Sequence, residues 1–127
     1  MTNSKGRSGP DHFAVRTIEP SPEGVRIFRI AGIFGSGTRE YEFLEDVRAD
    51  LADDIKTVIL DLSEVTHLTS GGIGVVAAVF TAARDAERSM MLAGSSSRSV
   101  AAMKVSGLLP IIPTFDSVDA ALQAATR

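Results

Sequence analysis

The run Thr57-Val58-Ile59-Leu60-Asp61-Leu62 constrains the fold more than any other part of this 127-residue chain. A strand points successive side chains to opposite faces, so a run with so little polar alternation has to be covered on both of them. One cover stands close by in sequence. The segment Ile73-Gly74-Val75-Val76-Ala77-Ala78-Val79-Phe80-Thr81-Ala82-Ala83 is apolar all round and too long for an ordinary strand. Arg84, Asp85, Glu87 and Arg88 follow it as a charged last turn, which predicts a buried helix. A buried strand leading into a buried helix begins a strand–helix–strand unit with a right-handed crossover and a parallel neighbour.

The remaining elements fall on either side of this unit. Phe13, Val15 and Ile18 begin a short extended segment closed by Pro20 and Pro22. After Glu23-Gly24, the run Val25-Arg26-Ile27-Phe28-Arg29-Ile30 mostly alternates apolar residues with arginine, the period-2 pattern of a half-buried strand. The two segments are expected to pair as an antiparallel hairpin. Gly32-Ile33-Phe34-Gly35-Ser36-Gly37-Thr38 reads as a loop, with Thr38 placed to cap a helix whose Tyr41, Leu44, Val47 and Leu51 recur at helical spacing. Ser63 to Thr69 reads as a second loop. Met90-Met91-Leu92-Ala93 is a strand, a helix follows from about Arg98 to Val105 with Val100 and Met103 inward, and Gly107 ends it. Pro110 to Phe115 is a last strand, placed at a sheet edge by its two prolines. Asp116 or Ser117 caps a terminal helix with the apolar stripe Val118, Ala121, Leu122 and Ala125. The expected fold class is therefore α/β: a single domain with a mixed sheet of about four or five strands and about four helices.

Composition narrows the class of function. The chain is long enough for one domain, 44% of it is hydrophobic, and it has no cysteine to form a disulfide, a thiolate metal site or a thiol nucleophile. The net charge is −3 with no basic stripe, so direct nucleic-acid binding is not expected. No apolar run approaches the roughly 20 residues of a membrane span, and membrane insertion is not expected either. Residues 1–12, MTNSKGRSGPDH, are polar and small; they read as a loosely ordered tail rather than a secretory signal, with the domain at 13–127 and a cytoplasmic location.

Catalytic and ligand-binding patterns are thin. The two histidines, His12 and His67, have no second ligand at a useful spacing, so no metal is expected. Glu40, Glu42, Glu45, Asp46, Asp50, Asp53 and Asp54 read as one solvated helix face and its end. Asp61, at the end of the buried strand, reads as an acceptor that orders the next loop. Gly32 to Gly37 lacks the lysine of a P-loop and the dinucleotide fingerprint, and nothing calls for a cofactor. The segment Thr66-His67-Leu68-Thr69-Ser70-Gly71-Gly72-Ile73-Gly74 stands out, because it puts hydroxyls and glycines at the start of the buried helix. A phosphate on Ser70 would meet backbone N–H groups and the positive end of the helix dipole. The plainer reading of Ser70 is an N-cap, worth about 1 kcal/mol.

Here the sequence resembles a known family. Val58-Ile59-Leu60-Asp61-Leu62, Val65 and Thr69-Ser70-Gly71-Gly72-Ile73-Gly74 are similar to the strand, loop and helix of the STAS domain, the fold of bacterial anti-sigma factor antagonists. Met91-Leu92-Ala93-Gly94, Val105-Ser106-Gly107-Leu108 and Phe115-Asp116-Ser117-Val118-Asp119-Ala120-Ala121-Leu122 resemble the family's C-terminal half. The resemblance covers about residues 13–125.

The resemblance implies a non-enzymatic partner switch. An unmodified antagonist binds an anti-sigma factor, or a related regulator of the serine-kinase fold, and phosphorylation of a serine in this loop breaks the complex. The sequence departs from the family pattern at the switch: the usual aspartate is Thr69, and the usual phosphoacceptor position is Gly71. Ser70 or Thr69 then takes over as acceptor, or the protein is an unswitched antagonist, or it serves another assembly as a scaffold or transport-associated subunit. The expected partner-contact residues are Thr66, His67, Thr69, Ser70, Gly71, Gly72 and Ile73, together with Ile33 and Phe34 as a bulky exposed pair beside them or tucked into the domain's end. Homodimer formation is left open.

Overall fold

A computed structural model describes residues 12–35, 37–107 and 111–126. Its elements are β1 (Ala14–Thr17), β2 (Val25–Phe34), α1 (Arg39–Ala52), β3 (Thr57–Leu68), α2 (Ser70–Asp85), β4 (Ser89–Ala93), α3 (Ser97–Val105), β5 (Thr114–Phe115) and α4 (Val118–Ala125). The strands form one sheet in the order β1-β2-β3-β4-β5. β1 pairs antiparallel with β2, and every later neighbour is parallel. The expected hairpin, parallel stretch and mixed α/β sheet are all present. Of the expected tail, only His12 lies among the described residues, and it is exposed.

Successive right-handed crossovers place α1, α2 and α3 side by side on one face of the sheet. Phe43, Leu44, Val47 and Leu51 from α1, Val75, Val76, Val79 and Ala83 from α2, and Met103 from α3 share one core with Phe28, Ile30, Val58 and Leu60. On the opposite face α4 covers a smaller cluster, in which Ala121 meets Val25, Ile27, Ile59 and Ala93. Val58, Ile59 and Leu60 are fully buried, as a strand covered on both faces requires. Aromatic contacts join the hairpin to the helix layer: Phe13 stacks on Phe34 at 5.7 Å, and Phe43 meets Phe28 edge-on at 5.2 Å. Each such pair adds about 1 kcal/mol beyond burial of its area.

Three expectations change. Tyr41 is 66% exposed, and Phe43 takes the core position expected of it. Gly32 to Phe34 and Ser63 to Leu68 are strand rather than loop. The β2–β3 ladder continues to Phe34↔Leu68 through two register irregularities, which shift the side chains without ending the pairing. Parallel pairing satisfies backbone groups that a loop would leave to solvent, and Gly32 is tolerated because the neighbouring strand supplies the order. Finally, β5 is two residues long; Pro110, where that strand was expected to start, lies outside the described residues.

One backbone detail bears on stability. α2 ends with Arg88 N–H donating to Ala83 at 2.7 Å and Glu87 N–H donating to Arg84 at 2.9 Å, the Schellman arrangement. Its left-handed position is filled by Glu87, at φ 60°, where glycine is the usual occupant. Glu87→Gly is expected to stabilise the domain by about 1 kcal/mol. In a thermal melt this is a rise of roughly 4 °C; an unchanged or lower midpoint would show that the glutamate side chain makes compensating contacts.

Candidate functional site

The connection between β3 and α2 is one residue long. Thr69 leaves the strand in an extended conformation and serves as the N-cap of α2, its hydroxyl accepting from Gly72 N–H at 3.2 Å. The same hydroxyl lies 3.2 Å from the carbonyl oxygens of both Phe34 and Gly35, sharing its proton between them. Thr69 N–H donates to Phe34 at 3.1 Å. A single threonine thus ties the end of β2 to the start of α2. Ser70, read from sequence as the cap, is instead the first helical residue, and it is exposed.

Two glycines allow this closeness. At Gly72, a Cβ would overlap the Phe34 carbonyl oxygen. Gly35 has φ 113°, and a Cβ there would overlap Thr69 Oγ1 and Gly72 N. Glu40 completes the corner. Sequence reading placed it on a solvated face, yet it is 2% exposed, and its carboxylate accepts from Gly35 N–H at 2.6 Å. The available signal was its position: an acid in the first helical turn directly after a glycine loop, where backbone N–H groups are unpartnered within the helix. Between these parts lies a shallow groove of about 310 Å³ lined by Gly35, Gly37, Glu40, Tyr41, Gly71 and Val75.

The expected contact residues separate into two groups. Thr66, His67, Ser70 and Gly71 are exposed, and Ile73 is half-buried. Phe34 and Gly72 are buried, so their side of the corner is internal packing and not a docking surface. Ile33 and Phe34 do not form an exposed pair. Adjacent strand residues point to opposite faces, and Phe34 enters the core while half-buried Ile33 faces the other way, beside His67 in register. Of the two hydroxyls considered as phosphoacceptors, that of Thr69 is committed to the corner and that of Ser70 stands at the surface.

Asp61 does order the segment after it, accepting from Ser63 N–H at 3.0 Å. It also pairs with Arg29 across the sheet at 2.7 Å, a contact sequence spacing did not signal. That hydrogen bond holds the Arg29 guanidinium above its ordinary range, against the opposing effect of burial. No helix among the described residues is long and apolar enough to cross a membrane.

With this geometry in place, the sequence matches the STAS domain over residues 18–121. The chain belongs to the STAS family. Its fold is shared by an anti-sigma factor antagonist from Mycobacterium paratuberculosis, with TM-score 0.77, 23% identity, and coverage of 94% of this chain and 99% of that one. The anti-sigma factor antagonist SpoIIAA in its unphosphorylated form superposes with TM-score 0.76 at 15% identity, covering 89% of this chain and 96% of that one. A sulfate transporter family protein from Wolinella succinogenes has the same fold, with TM-score 0.70 and 22% identity over 85% of this chain and 89% of that one. No curated protein sequence matches the chain.

The corner makes a contrasting prediction for two neighbouring glycines of this STAS domain. Gly72→Ala is expected to destabilise by about 2 kcal/mol, since its Cβ forces apart the Phe34–Thr69 tie. Gly74→Ala, with nothing within 4 Å of the added carbon, is expected to stabilise by about 1 kcal/mol through helix propensity. Urea melts of both variants distinguish a tight corner from a loose one; equal effects at 72 and 74 would refute the close approach.

Proposed function

We propose that this STAS protein is an anti-sigma factor antagonist without enzymatic activity of its own. It binds an anti-sigma factor of the serine-kinase fold, or a related regulator, through the start of α2, and so controls the availability of a sigma factor in the cytoplasm. The observation that carries this reading is the placement of Ser70: an exposed hydroxyl on the first residue of a helix whose start is held rigidly by Thr69, Gly72 and Gly35. A rigid, small-residue helix start lets a partner backbone approach closely and loses little entropy on docking. A phosphate on Ser70 adds nearly two negative charges and three strongly hydrated oxygens at that contact, which disfavours burial against a partner.

Two structural relatives described as anti-sigma factor antagonists support the reading. The sulfate transporter relative supports a second one, an unphosphorylated scaffold or transport-associated subunit, and Gly71 at the usual acceptor position favours it as well.

A pull-down from the native cytoplasm with wild type, Ser70→Ala and Ser70→Asp separates the readings. The expected result is capture of a kinase-fold anti-sigma factor by wild type and Ser70→Ala. Ser70→Asp should weaken capture by at least roughly tenfold, equivalent to about 1.4 kcal/mol. Equal capture by all three would mean an antagonist without this switch, and capture of a membrane transporter instead would replace the proposal with the second reading.

A further inference from the structure

Charge is distributed unevenly across the helix layer. All 16 acidic residues lie outside the segment between Glu87 and Asp116, and that segment carries Arg88, Arg98 and Lys104. The α3 surface therefore has exposed Arg98 and Lys104 with no carboxylate near them in sequence. On α1 the balance is reversed. Glu42, Glu45 and Asp46 are exposed on the helix and Asp53 and Asp54 just beyond it, five carboxylates against the exposed Arg39 and Arg48, the latter paired with Glu45 at 2.6 Å. Since the crossovers set α1, α2 and α3 side by side in that order, the layer has an acidic edge, a central helix and a basic edge.

The central helix is flat. Ser70, Gly74 and Thr81 are exposed and Ala77 is half-buried, at positions that fall on one line along its outer surface. Small residues there allow a second helix to approach at the short end of the usual interaxial range of roughly 8–10 Å.

The complement to each edge is thus present on the same chain, and symmetry decides how the two can meet. A two-fold axis across α2 would lay acidic α1 over acidic α1. A two-fold axis running along α2 lays the α1 edge of one copy over the α3 edge of the other, twice per dimer. We propose that the chain forms a homodimer of this second kind, its two helix layers face to face, with α2 against α2 and α1 against α3 of the partner. The inference does not rest on the anti-sigma reading. The dimer covers the exposed face of α2 and Ser70, so self-association competes with any partner that docks there.

Sedimentation velocity on the purified full chain tests this. At low salt the wild type is expected to sediment as a dimer. Raising salt from about 0.01 M to about 1 M shortens the screening length from roughly 30 Å to roughly 3 Å, and should weaken the dimer by at least tenfold. Reversing the basic edge (Arg98→Glu with Lys104→Glu) or the acidic edge (Glu42→Lys with Asp46→Lys) should give monomers. An equimolar mixture of the two reversed proteins should form a heterodimer, because each acidic edge again faces a basic one. This last result requires both variants to be folded, and no unfolded variant can imitate it. A wild type that is monomeric at low salt, a dimer indifferent to salt and to both reversals, or reversed proteins that fail to pair when mixed would each overturn the proposal.

Discussion

The parallel ladder between β2 and β3, carried on to Phe34 and Leu68, is the interaction on which the corner at the start of α2 depends. Because the ladder runs so far, β3 delivers Thr69 directly beside the last carbonyls of β2, and one hydroxyl bridges strand end and helix start. Had the strands parted at Ile30 and Leu62, the two glycine-rich segments would be independent loops, each with its own entropy to lose on binding. Joined, they form a corner in which Phe34 anchors the inside and Ser70 occupies the outside.

That corner explains the division of labour among its residues. Gly35 and Gly72 serve close backbone approach, Glu40 supplies an internal carboxylate to Gly35, and Thr69 supplies the bridge. None of these can be altered for recognition without loosening the scaffold. Ser70 and Gly74 carry no such constraint, whereas a Cβ at Gly71 would come within 3.2 Å of the Gly35 carbonyl oxygen, so the surface can vary at 70 and 74 while its support stays the same. A phosphoryl group on Ser70 would therefore alter the surface and leave the scaffold intact.

The helix layer adds a longer-range property. The edge-to-edge separation of charge gives the face around α2 a direction, so whatever docks on it is oriented by electrostatics before close contact is made. The sheet's other face has a different character. There α4 covers only part of the surface, and the Arg29–Asp61 pair closes the polar end of the small cluster.

Periodicity and length alone set the element order, because apolar runs of period 2 and period 3.6 depend only on neighbouring residues. Val58-Ile59-Leu60 had to be central, Ile73 to Ala83 had to be a helix packed on the sheet, though one face of it is open where full burial was expected, and the terminal stripe around Ala121 had to face a sheet. The hydroxyl- and glycine-rich start of α2 likewise stood out in the sequence, although Thr69 and Gly72 in it serve the internal corner. What sequence did not show was how the segments around that start pair. Glycine and serine lower local strand propensity, so Gly32–Phe34 and Ser63–Leu68 read as loops until each had the other as a neighbour. The same long-range pairing chose Thr69 over Ser70 as the cap, sent Phe34 inward and Ile33 outward, and buried Glu40 against Gly35. A residue's neighbours along the chain determine which element it joins; its partners across the sheet, absent from any local window, decide which face it shows and which hydrogen bond it keeps.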